Sequence, residues 1–519
     1  MKKFQENQLI KNTIKLINMN KISILLVAVI CSATLFAQEK KKTEKKPIPV
    51  AQSFVTTHQG TFGGKTIKYK ATASETYLKD ADGIPVASIW STAYTQENVS
   101  DTSKRPVTFV FNGGPGSASV WLHMGLLGPQ LVKVDSDAKE DDGAAPFELV
   151  TNNYGMLDLT DLVFIDPVGT GYSRVVGEGK TENYWGLNED ARSVAKFMRQ
   201  WITENKRWNS PKYMAGESYG TTRAAAVANV LEGGGQNMAL NGLILISQAL
   251  DYAGSTSMHN NITSYLTYLP SMAATAWYHK KAGQGKTLEA FVEESRDFTY
   301  NTYAPALYKG SLLTQSEESN IAEQLSYFTG LDKAYILRSN NRILMHRFQK
   351  NLLADKGLAI GRLDGRYMGD EADDASEGPN LGDPASYQIG AAYTAGLNHY
   401  FAKTLNVEMD RPYKTSGGMG GKWRWRTVPD GQYWEPMPVN TAPQLGKVMR
   451  RNTEMKVLVA SGYYDLITPF FDAEYTFARH GIVRERVTMT YYEAGHMMYV
   501  HQPDLVKVAQ DIRDFLTQN

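Results

Sequence analysis

Short apolar runs alternate with helical stretches in two separate blocks of the sequence. The first block carries strand-like runs at VTFVFN, LVFID, KYMA and LNGLILISQ, and the second carries MKVLVASG and RVTMTYYEAG. Stretches with apolar residues at helical spacing, or rich in alanine, lie at 188–208, 221–232 and 504–516. Because buried strands alternating with helices are typical of a parallel sheet covered on both faces, the sequence predicts an α/β fold with a mostly parallel central sheet flanked by helices.

The region between the two blocks has a different character. It is mainly helical, rich in tyrosine and irregular, so we expect a cap inserted into the α/β core. Ahead of the first block, alternating residues over 53–94 surround the turn DADG and indicate β-hairpins. We therefore divide the chain into a signal peptide at 1–37, a charged linker at 38–52, the first part of the core at 53–250, the cap at 251–420 and the second part of the core at 421–519.

The N-terminal segment has the layout of a secretory signal peptide. Lys15 and Lys21 precede the apolar run ISILLVAVICSATLFA, which ends at Ala37 and is followed at once by charged residues. An uncleaved anchor helix is the alternative, but spanning a bilayer normally takes about 20 apolar residues. We predict cleavage after Ala37, export to the periplasm or the medium, and no stable membrane span in the mature protein.

Composition narrows the classes of partner and cofactor. The single cysteine, Cys31, lies in the predicted signal peptide, so the mature chain has neither a disulfide framework nor a cysteine metal site. Export without disulfides favours a bacterial protein. The formal net charge is +1, which gives no reason to expect a nucleic-acid partner. The sequence carries no signal for an oligomeric state.

The stretch KYMAGESYGTT places Ser218 between two glycines, after a predicted strand and before a predicted helix. In the α/β-hydrolase fold, the nucleophile occupies such a sharp strand-to-helix turn. A G-x-S-x-G pattern also occurs in ordinary turns, so the assignment depends on finding the other catalytic groups. A serine hydroxyl needs a general base to act as a nucleophile at neutral pH.

His496 and Asp465 follow separate predicted strands in the second block. His496 lies in EAGHMMYVHQP, and Asp465 lies in SGYYDLITPF, three residues beyond the glycine that ends its strand. His501 is a reserve candidate for the base. The order Ser218, Asp465, His496 is the α/β-hydrolase order of nucleophile, acid and base. Each residue alone has an ordinary structural explanation, and their combination in this order favours a catalytic triad.

A glycine cluster follows the first predicted strand of the core. An oxyanion hole requires backbone N–H groups aimed at the developing charge. Tyr219, directly after the nucleophile, provides one predicted donor, and Gly114 in NGGPGSAS provides the second. A phosphate-binding loop is the alternative, but the G-K-[ST] ending is missing and Pro115 removes a donor.

These motifs together resemble the serine carboxypeptidase family. NGGPGSAS resembles the family's NGGPG-x-S-S, GESYG matches letter for letter, and FIDPVGTGYSR resembles a third family block. VLVASGYYDLITP and AGHMMYVHQP resemble the family's Asp and His blocks. The resemblance implies an α/β-hydrolase fold, the triad Ser218, Asp465 and His496, and oxyanion donors at Gly114 and Tyr219.

The resemblance also implies how a peptide would be held. Family members bind the free C-terminal carboxylate through residues that correspond here to Asn112, Gly113 and Glu217. A contact between Glu217 and a carboxylate is attractive only if one of the two carries a proton. Leu126 replaces a second carboxylate-binding glutamate of the family, which puts strict exopeptidase action in doubt. The family's usual GESYGGHY is GESYGTTR here, so Arg223 stands at its last position, and we consider it either a substitute carboxylate ligand or a surface arginine.

The sequence thus predicts a serine-type carboxypeptidase that hydrolyses peptide substrates through an acyl-enzyme, with no metal or organic cofactor. Two further enzyme classes stay open. One is an acyltransferase on the same scaffold, and the other is a proline-releasing aminopeptidase-like hydrolase. A non-catalytic binding protein is a third alternative, which the intact triad disfavours.

Overall fold

The computed structural model describes residues 46–139, 143–233, 235–425 and 438–518, together with residues 8, 9, 11 and 432. The chain divides into two compact units, Met1–Pro47 and Ile48–Asn519. The predicted signal peptide lies outside the described residues, except for 8, 9 and 11. In the part of the chain that is described, no helix has both the length and the apolar character that crossing a membrane requires.

The second unit contains all the strands that the structure describes. They are β1 Ser53–Phe62, β2 Lys65–Lys79, β3 Pro85–Gln96, β4 Val107–Phe111, β5 Gln130–Val132, β6 Leu149–Thr151, β7 Asp161–Asp166, β8 Arg174–Val175, β9 Lys212–Ser218, β10 Gly242–Gln248, β11 Leu358–Ile360, β12 Met368–Asp370, β13 Lys456–Gly462 and β14 Val487–Tyr492.

The described strands form one large sheet and two small antiparallel pairs, β5 with β6 and β11 with β12. The order in the large sheet is β1-β2-β3-β7-β4-β9-β10-β13-β14, with β8 paired to β3. Neighbouring strands from β7 to β14 pair in parallel, whereas β1, β2 and β3 pair antiparallel and confirm the predicted hairpins. The carboxyl ends of the parallel strands therefore meet at one edge of the sheet, where α/β folds bind ligands.

The helices of the described residues flank this sheet or fill the segment between β10 and β13. They are α1 Val120–Leu122, α2 Leu187–Glu204, α3 Tyr219–Glu232, α4 Tyr252–Ser255, α5 Ile262–Tyr278, α6 Leu288–Phe298, α7 Ala304–Lys309, α8 Gln315–Thr329, α9 Lys333–Arg338, α10 Met345–Asn351, α11 Pro384–Lys403, α12 Ala442–Arg451, α13 Phe470–Phe477 and α14 Gln502–Thr517.

Burial on both faces explains the apolar strand sequences. Every residue of β4 and β10 is buried. Apolar side chains of α2, α3 and α12 cover one face of the sheet, and those of α11 and α14 pack on the other. Parallel strands covered in this way lose their polar alternation. The predicted α/β-hydrolase fold class is confirmed.

The segment between β10 and β13 is mainly helical, and its helices α5 to α10 have an apolar core of their own. Helix α11 instead joins the core of the sheet through Ile389, Tyr393, Leu397 and neighbouring residues. The segment thus has one part that packs on itself and another that packs on the main sheet. The predicted cap boundaries at 251 and 420 stay a prediction.

Candidate active site

Ser218 ends β9, and α3 begins at the next residue. Its backbone has φ 60° and ψ −130°, a conformation that a non-glycine residue adopts only where its surroundings enforce it. A Cβ atom added at Gly216 would lie 2.4 Å from the carbonyl oxygen of Gly220, and one added at Gly220 would lie 2.8 Å from that of Phe111. The two glycines of the motif are therefore required by close backbone packing at this turn.

His496 and Asp465 are joined by a hydrogen bond behind the same sheet edge. The distance from His496 Nδ1 to Asp465 Oδ2 is 2.7 Å, and both side chains are buried. The Asp465 carboxylate also accepts bonds from the backbone N–H groups of Ile467 and Thr468, and from the Thr468 hydroxyl. These donors fix the carboxylate, which in turn orients the imidazole.

The environment of His496 favours its protonated form. Burial by itself lowers the pKa of His496, but the Asp465 carboxylate and its hydrogen bond raise it, and the net pKa lies above the ordinary 6.5.

Two hydrogen bonds fix the backbone of His496. The His496 N–H donates to the Leu363 carbonyl at 2.6 Å, and the Ser247 hydroxyl donates to the His496 carbonyl at 2.7 Å.

The predicted oxyanion donors lie on two backbones that are in direct contact. A Cβ atom at Gly113 would approach the backbone nitrogen of Tyr219 to 2.5 Å. Tyr219 is the first residue of α3, so its N–H has no acceptor within the helix. Gly114 has φ +102°, a conformation that favours glycine. The structure thus brings Gly113, the residue before Gly114, against the N-terminus of the helix that follows Ser218.

Glu217 is a buried carboxyl group beside the predicted triad. Its Oε1 accepts from the Asn112 amide at 3.0 Å, and its Oε2 accepts from the Tyr499 hydroxyl at 2.6 Å. Burial raises the pKa of Glu217 to about 7, against the smaller lowering by His496 and by the two hydrogen bonds. Near neutral pH this group is therefore partly protonated, as binding to another carboxylate requires.

A cavity of about 290 Å³ connects these groups. Its wall is formed by strand ends, by the glycine loop and by the segment inserted between β10 and β13. The lining residues are Asn112, Gly113, Gly114, Ser117, Trp121, Glu217, Ser218, Arg362, Leu363, Ser386, Ile389, Ile467, His496 and Met497. Asp465 lies behind His496, and Tyr219 contributes its backbone beside Ser218.

Within the described residues, no group of three or more His, Cys, Asp or Glu side chains is arranged to hold a metal ion. His501, the reserve candidate for the base, bonds through Nδ1 to Asp504 at 2.7 Å directly before α14. It is not among the residues that line the cavity. His496 is therefore the better placed of the two histidines.

Both interpretations of Arg223 were wrong. The side chain is fully buried, and its Nε donates to Asp190 at 2.7 Å while Nη1 donates to the Asn112 carbonyl at 2.5 Å. The guanidinium lies over the rings of Phe111 and Tyr219. Arg223 supports the glycine loop and the nucleophile turn from beneath, because α3 directs it into the core beside α2.

Leu126 is also fully buried, in a helical turn at His123–Leu127 that continues α1. Its side chain belongs to the apolar core of the sheet, and it does not line the cavity. An apolar side chain suits this buried position because it brings no charge that would need a partner. The effect of Leu126 on exopeptidase action stays a prediction.

Sequence reasoning missed three side chains at the site. Thr468 donates a hydrogen bond to Asp465, and Tyr499 donates one to Glu217. Arg362 places a cation on the cavity wall. Thr468 had a local signal, because a residue three positions after an aspartate often bonds back to it in a turn. Tyr499 and Arg362 had none, since their contacts join distant parts of the chain.

Comparison with known proteins supplements this geometry with a family assignment. A model of the serine carboxypeptidase family matches residues 93–356, just over half of the 519-residue chain. The chain belongs to the serine carboxypeptidase family. Asn112 and Ser218 lie within the matched range, and Asp465 and His496 lie beyond it.

The family assignment agrees with curated relatives and with solved structures. Serine carboxypeptidase-like 16 of Arabidopsis thaliana is 26% identical over 166 residues, covering 31% of this chain and 37% of that protein. Pheromone-processing carboxypeptidase KEX1 of Uncinocarpus reesii is 25% identical over 181 residues, covering 34% of this chain and 26% of that protein. The matched parts thus span well under half of these relatives.

The crystal structure of KEX1ΔP, a prohormone-processing carboxypeptidase from Saccharomyces cerevisiae, is similar to this chain with a TM-score of 0.51. The alignment covers 86% of this chain and 91% of that chain, at 15% sequence identity. At that identity the likeness supports the fold.

Proposed function

We propose that this protein is an exported serine-type carboxypeptidase that removes C-terminal residues from peptides. One observation carries the proposal above all others. The strained Ser218, the Asp465-linked His496 and the carboxyl group of Glu217, with a pKa of about 7, adjoin one cavity. This combination supplies a nucleophile, its base and a proton-bearing group that suits a terminal carboxylate.

In the proposed reaction, Ser218 Oγ attacks the scissile carbonyl carbon while His496 Nε2 takes its proton. Asp465 keeps the proton of the imidazole on Nδ1 and stabilises the imidazolium that forms. The N–H groups of Gly114 and Tyr219 stabilise the oxyanion. His496 then protonates the departing amine, and water, deprotonated by His496, hydrolyses the acyl-enzyme.

The substrate's C-terminal carboxylate is held by Asn112, Gly113 and Glu217 in this proposal. Protonated Glu217 donates a hydrogen bond to the carboxylate, whereas ionised Glu217 repels it. Binding of free-acid peptides therefore weakens as the pH rises through about 7, the pKa of this group. Export is supported by the apolar run that ends at Ala37.

N-blocked peptides ending in a free acid or an amide test the proposal, at acidic and neutral pH. We expect release of single C-terminal residues from the free acids, and loss of release in Ser218→Ala. Ser339→Ala is a matched control, because Ser339 is also half-buried but lies away from the cavity. Equal cleavage of acids and amides, or cleavage at internal bonds, would contradict carboxypeptidase action.

The same assay distinguishes acyl transfer from hydrolysis. Added alcohols or amines compete with water for the acyl-enzyme formed on Ser218. Hydrolysis that persists as the main route supports the proposal. Diversion of most acyl groups to the acceptor at low acceptor concentration would instead identify an acyltransferase.

A further inference from the structure

The cavity beside Ser218 has a cation on its wall that the proposed mechanism does not use. Of the described residues that line it, Arg362 is the one lysine or arginine. The wall around it includes the apolar side chains of Leu363, Ile389 and Ile467. A guanidinium beside apolar surface has fewer competing polar groups than one in open solvent, which favours its binding to an anion.

The guanidinium of Arg362 is exposed and makes no ion pair or hydrogen bond with the residues that the structure describes. Buried arginines of this protein are paired instead: Arg223 with Asp190, and Arg366 with Asp364. The difference shows that Arg362 is not required to balance an internal charge.

Three acidic side chains belong to segments that line the cavity or hydrogen-bond to the backbone of Arg362. Asp383 accepts hydrogen bonds from the backbone N–H groups of Arg362 and Leu363, at 2.8 and 3.0 Å. Asp465 is bonded to His496, and Glu217 has a pKa of about 7. None of the three forms an ion pair with Arg362 in the described structure, so the cation is available to a ligand.

The backbone at Arg362 is fixed to the triad loops. Its carbonyl accepts from the Leu466 N–H at 3.0 Å, next to Asp465, and the carbonyl of Leu363 accepts from the His496 N–H at 2.6 Å. The charge of Arg362 acts on His496 in the direction that lowers its pKa. The cation is therefore held close to the reacting groups.

We propose that Arg362 is a specificity-determining residue that binds a carboxylate of the peptide substrate. A guanidinium presents paired N–H donors that match the two oxygens of a carboxylate. The carboxylate belongs either to an acidic side chain near the scissile bond or to the C-terminus itself. This inference rests on the proposed function, and if the carboxylate is that of a side chain, acidic peptides are the substrate class.

Matched peptides distinguish the two sources. One set compares Glu with Gln at each of the two residues that flank the scissile bond, and the other compares a free C-terminus with an amide. The enzymes are the mature protein, Arg362→Gln, Arg362→Lys and Arg362→Glu. Arg484→Gln is the matched control, because Arg484 is also exposed but lies away from the cavity.

We expect Arg362→Gln to lower the Glu-to-Gln ratio of kcat/KM, or the acid-to-amide ratio, by about tenfold, and Arg362→Glu to lower it further. The ratio that changes identifies the carboxylate. Arg362→Lys retains part of the preference, and added salt reduces the preference of the wild-type protein. Ratios are compared because loss of this charge also changes the pKa of His496 for every substrate.

A binding measurement keeps the test independent of turnover. The same peptide pairs are titrated by calorimetry into Ser218→Ala, with and without Arg362→Gln. If both ratios are the same with and without Arg362, in kinetics or in calorimetry, the inference is wrong although the proposed function stands. If the wild-type protein hydrolyses no peptide but calorimetry shows the preference, the proposed function fails and the carboxylate site stands.

Discussion

The cavity beside Ser218 has two walls, one formed at the strand ends and one formed by the segment inserted between β10 and β13. At the strand ends, Asp465 and Glu217 are buried and both have hydrogen-bond partners. On the inserted wall, Arg362 is exposed and its guanidinium has no partner among the described residues. The contrast fits the proposed function, in which the first wall carries the chemistry and the second is free to select substrates.

Two buried carboxyl groups at or behind the first wall differ in the number and kind of their hydrogen-bond donors. Asp465 accepts two backbone N–H bonds and a hydroxyl bond, and it faces the imidazole of His496. Glu217 has only the neutral donors of Asn112 and Tyr499, and its pKa is raised to about 7. The two neutral donors of Glu217 do not offset the effect of its burial, which favours the protonated form.

The largest effect is expected for Asp465→Asn. The amide would hold the imidazole of His496 in the wrong tautomer, so we expect kcat to fall by about 10⁴-fold. Steady-state hydrolysis of a free-acid peptide measures this loss, and Asp355→Asn is an exposed control. A loss below about tenfold would mean that this pair does not support the nucleophile.

Two arginines, Arg223 buried behind the first wall and Arg362 exposed on the second, allow the comparison to be tested directly. Arg223→Met leaves Asp190 buried without its cation, so we expect the free energy of unfolding to fall by about 3 kcal/mol. Arg362→Met removes an exposed side chain, and we expect a change within about 0.5 kcal/mol. Urea unfolding monitored by tryptophan fluorescence measures both. Equal losses would contradict the division into a structural and a selective wall.

Glu217→Gln is expected to change how the free energy of unfolding depends on pH. Because folding raises the pKa of Glu217 from 4.5 to about 7, the folded protein binds more protons than the unfolded chain between these values. Its contribution therefore makes stability fall as pH rises through this window, and the variant should lack that fall.

For free-acid substrates, we expect the wild-type KM to rise by about tenfold for each pH unit above the pKa of Glu217. Glu217→Gln should remove this rise, because the amide donates a hydrogen bond at every pH. An unchanged KM profile in the variant would show that Glu217 does not contact the substrate carboxylate.

The smallest effect is expected for Tyr499→Phe. The Tyr499 hydroxyl lowers the pKa of Glu217, so its removal should move the rise in KM to higher pH. We expect kcat to stay within about threefold, because Tyr499 acts through Glu217 and not on the triad. Tyr303→Phe is a matched control, since that hydroxyl is also buried but bonds to Asn341 in the inserted segment. A KM profile identical to that of the wild type would exclude this positioning role.

The sequence predicted the first wall much better than the second. Ser218, Asp465 and His496 each follow a recognisable strand, and parallel strands bring their carboxyl ends together. The sheet order was not predictable, because β4 lies between β7 and β9 and no local pattern records that arrangement.

Long-range contacts explain what was missed. Tyr499 bonds to a carboxyl group 282 residues away, and Arg362 reaches the cavity on an irregular segment of the insertion. Arg223 was misassigned because helical position alone does not reveal that α2 packs against α3 and supplies Asp190. Local sequence patterns thus identified groups at strand ends but not the side chains that other segments bring to them.

Covalent labelling of the mature protein with a fluorophosphonate tests the central claim most directly. We predict one adduct, located on Ser218 by mass spectrometry of the digested protein. Its rate of formation should fall by at least about 10³-fold in His496→Ala, because the base that activates the hydroxyl is missing. No adduct, an adduct on another residue, or an unchanged rate in His496→Ala would contradict the assignment of Ser218 as the activated nucleophile.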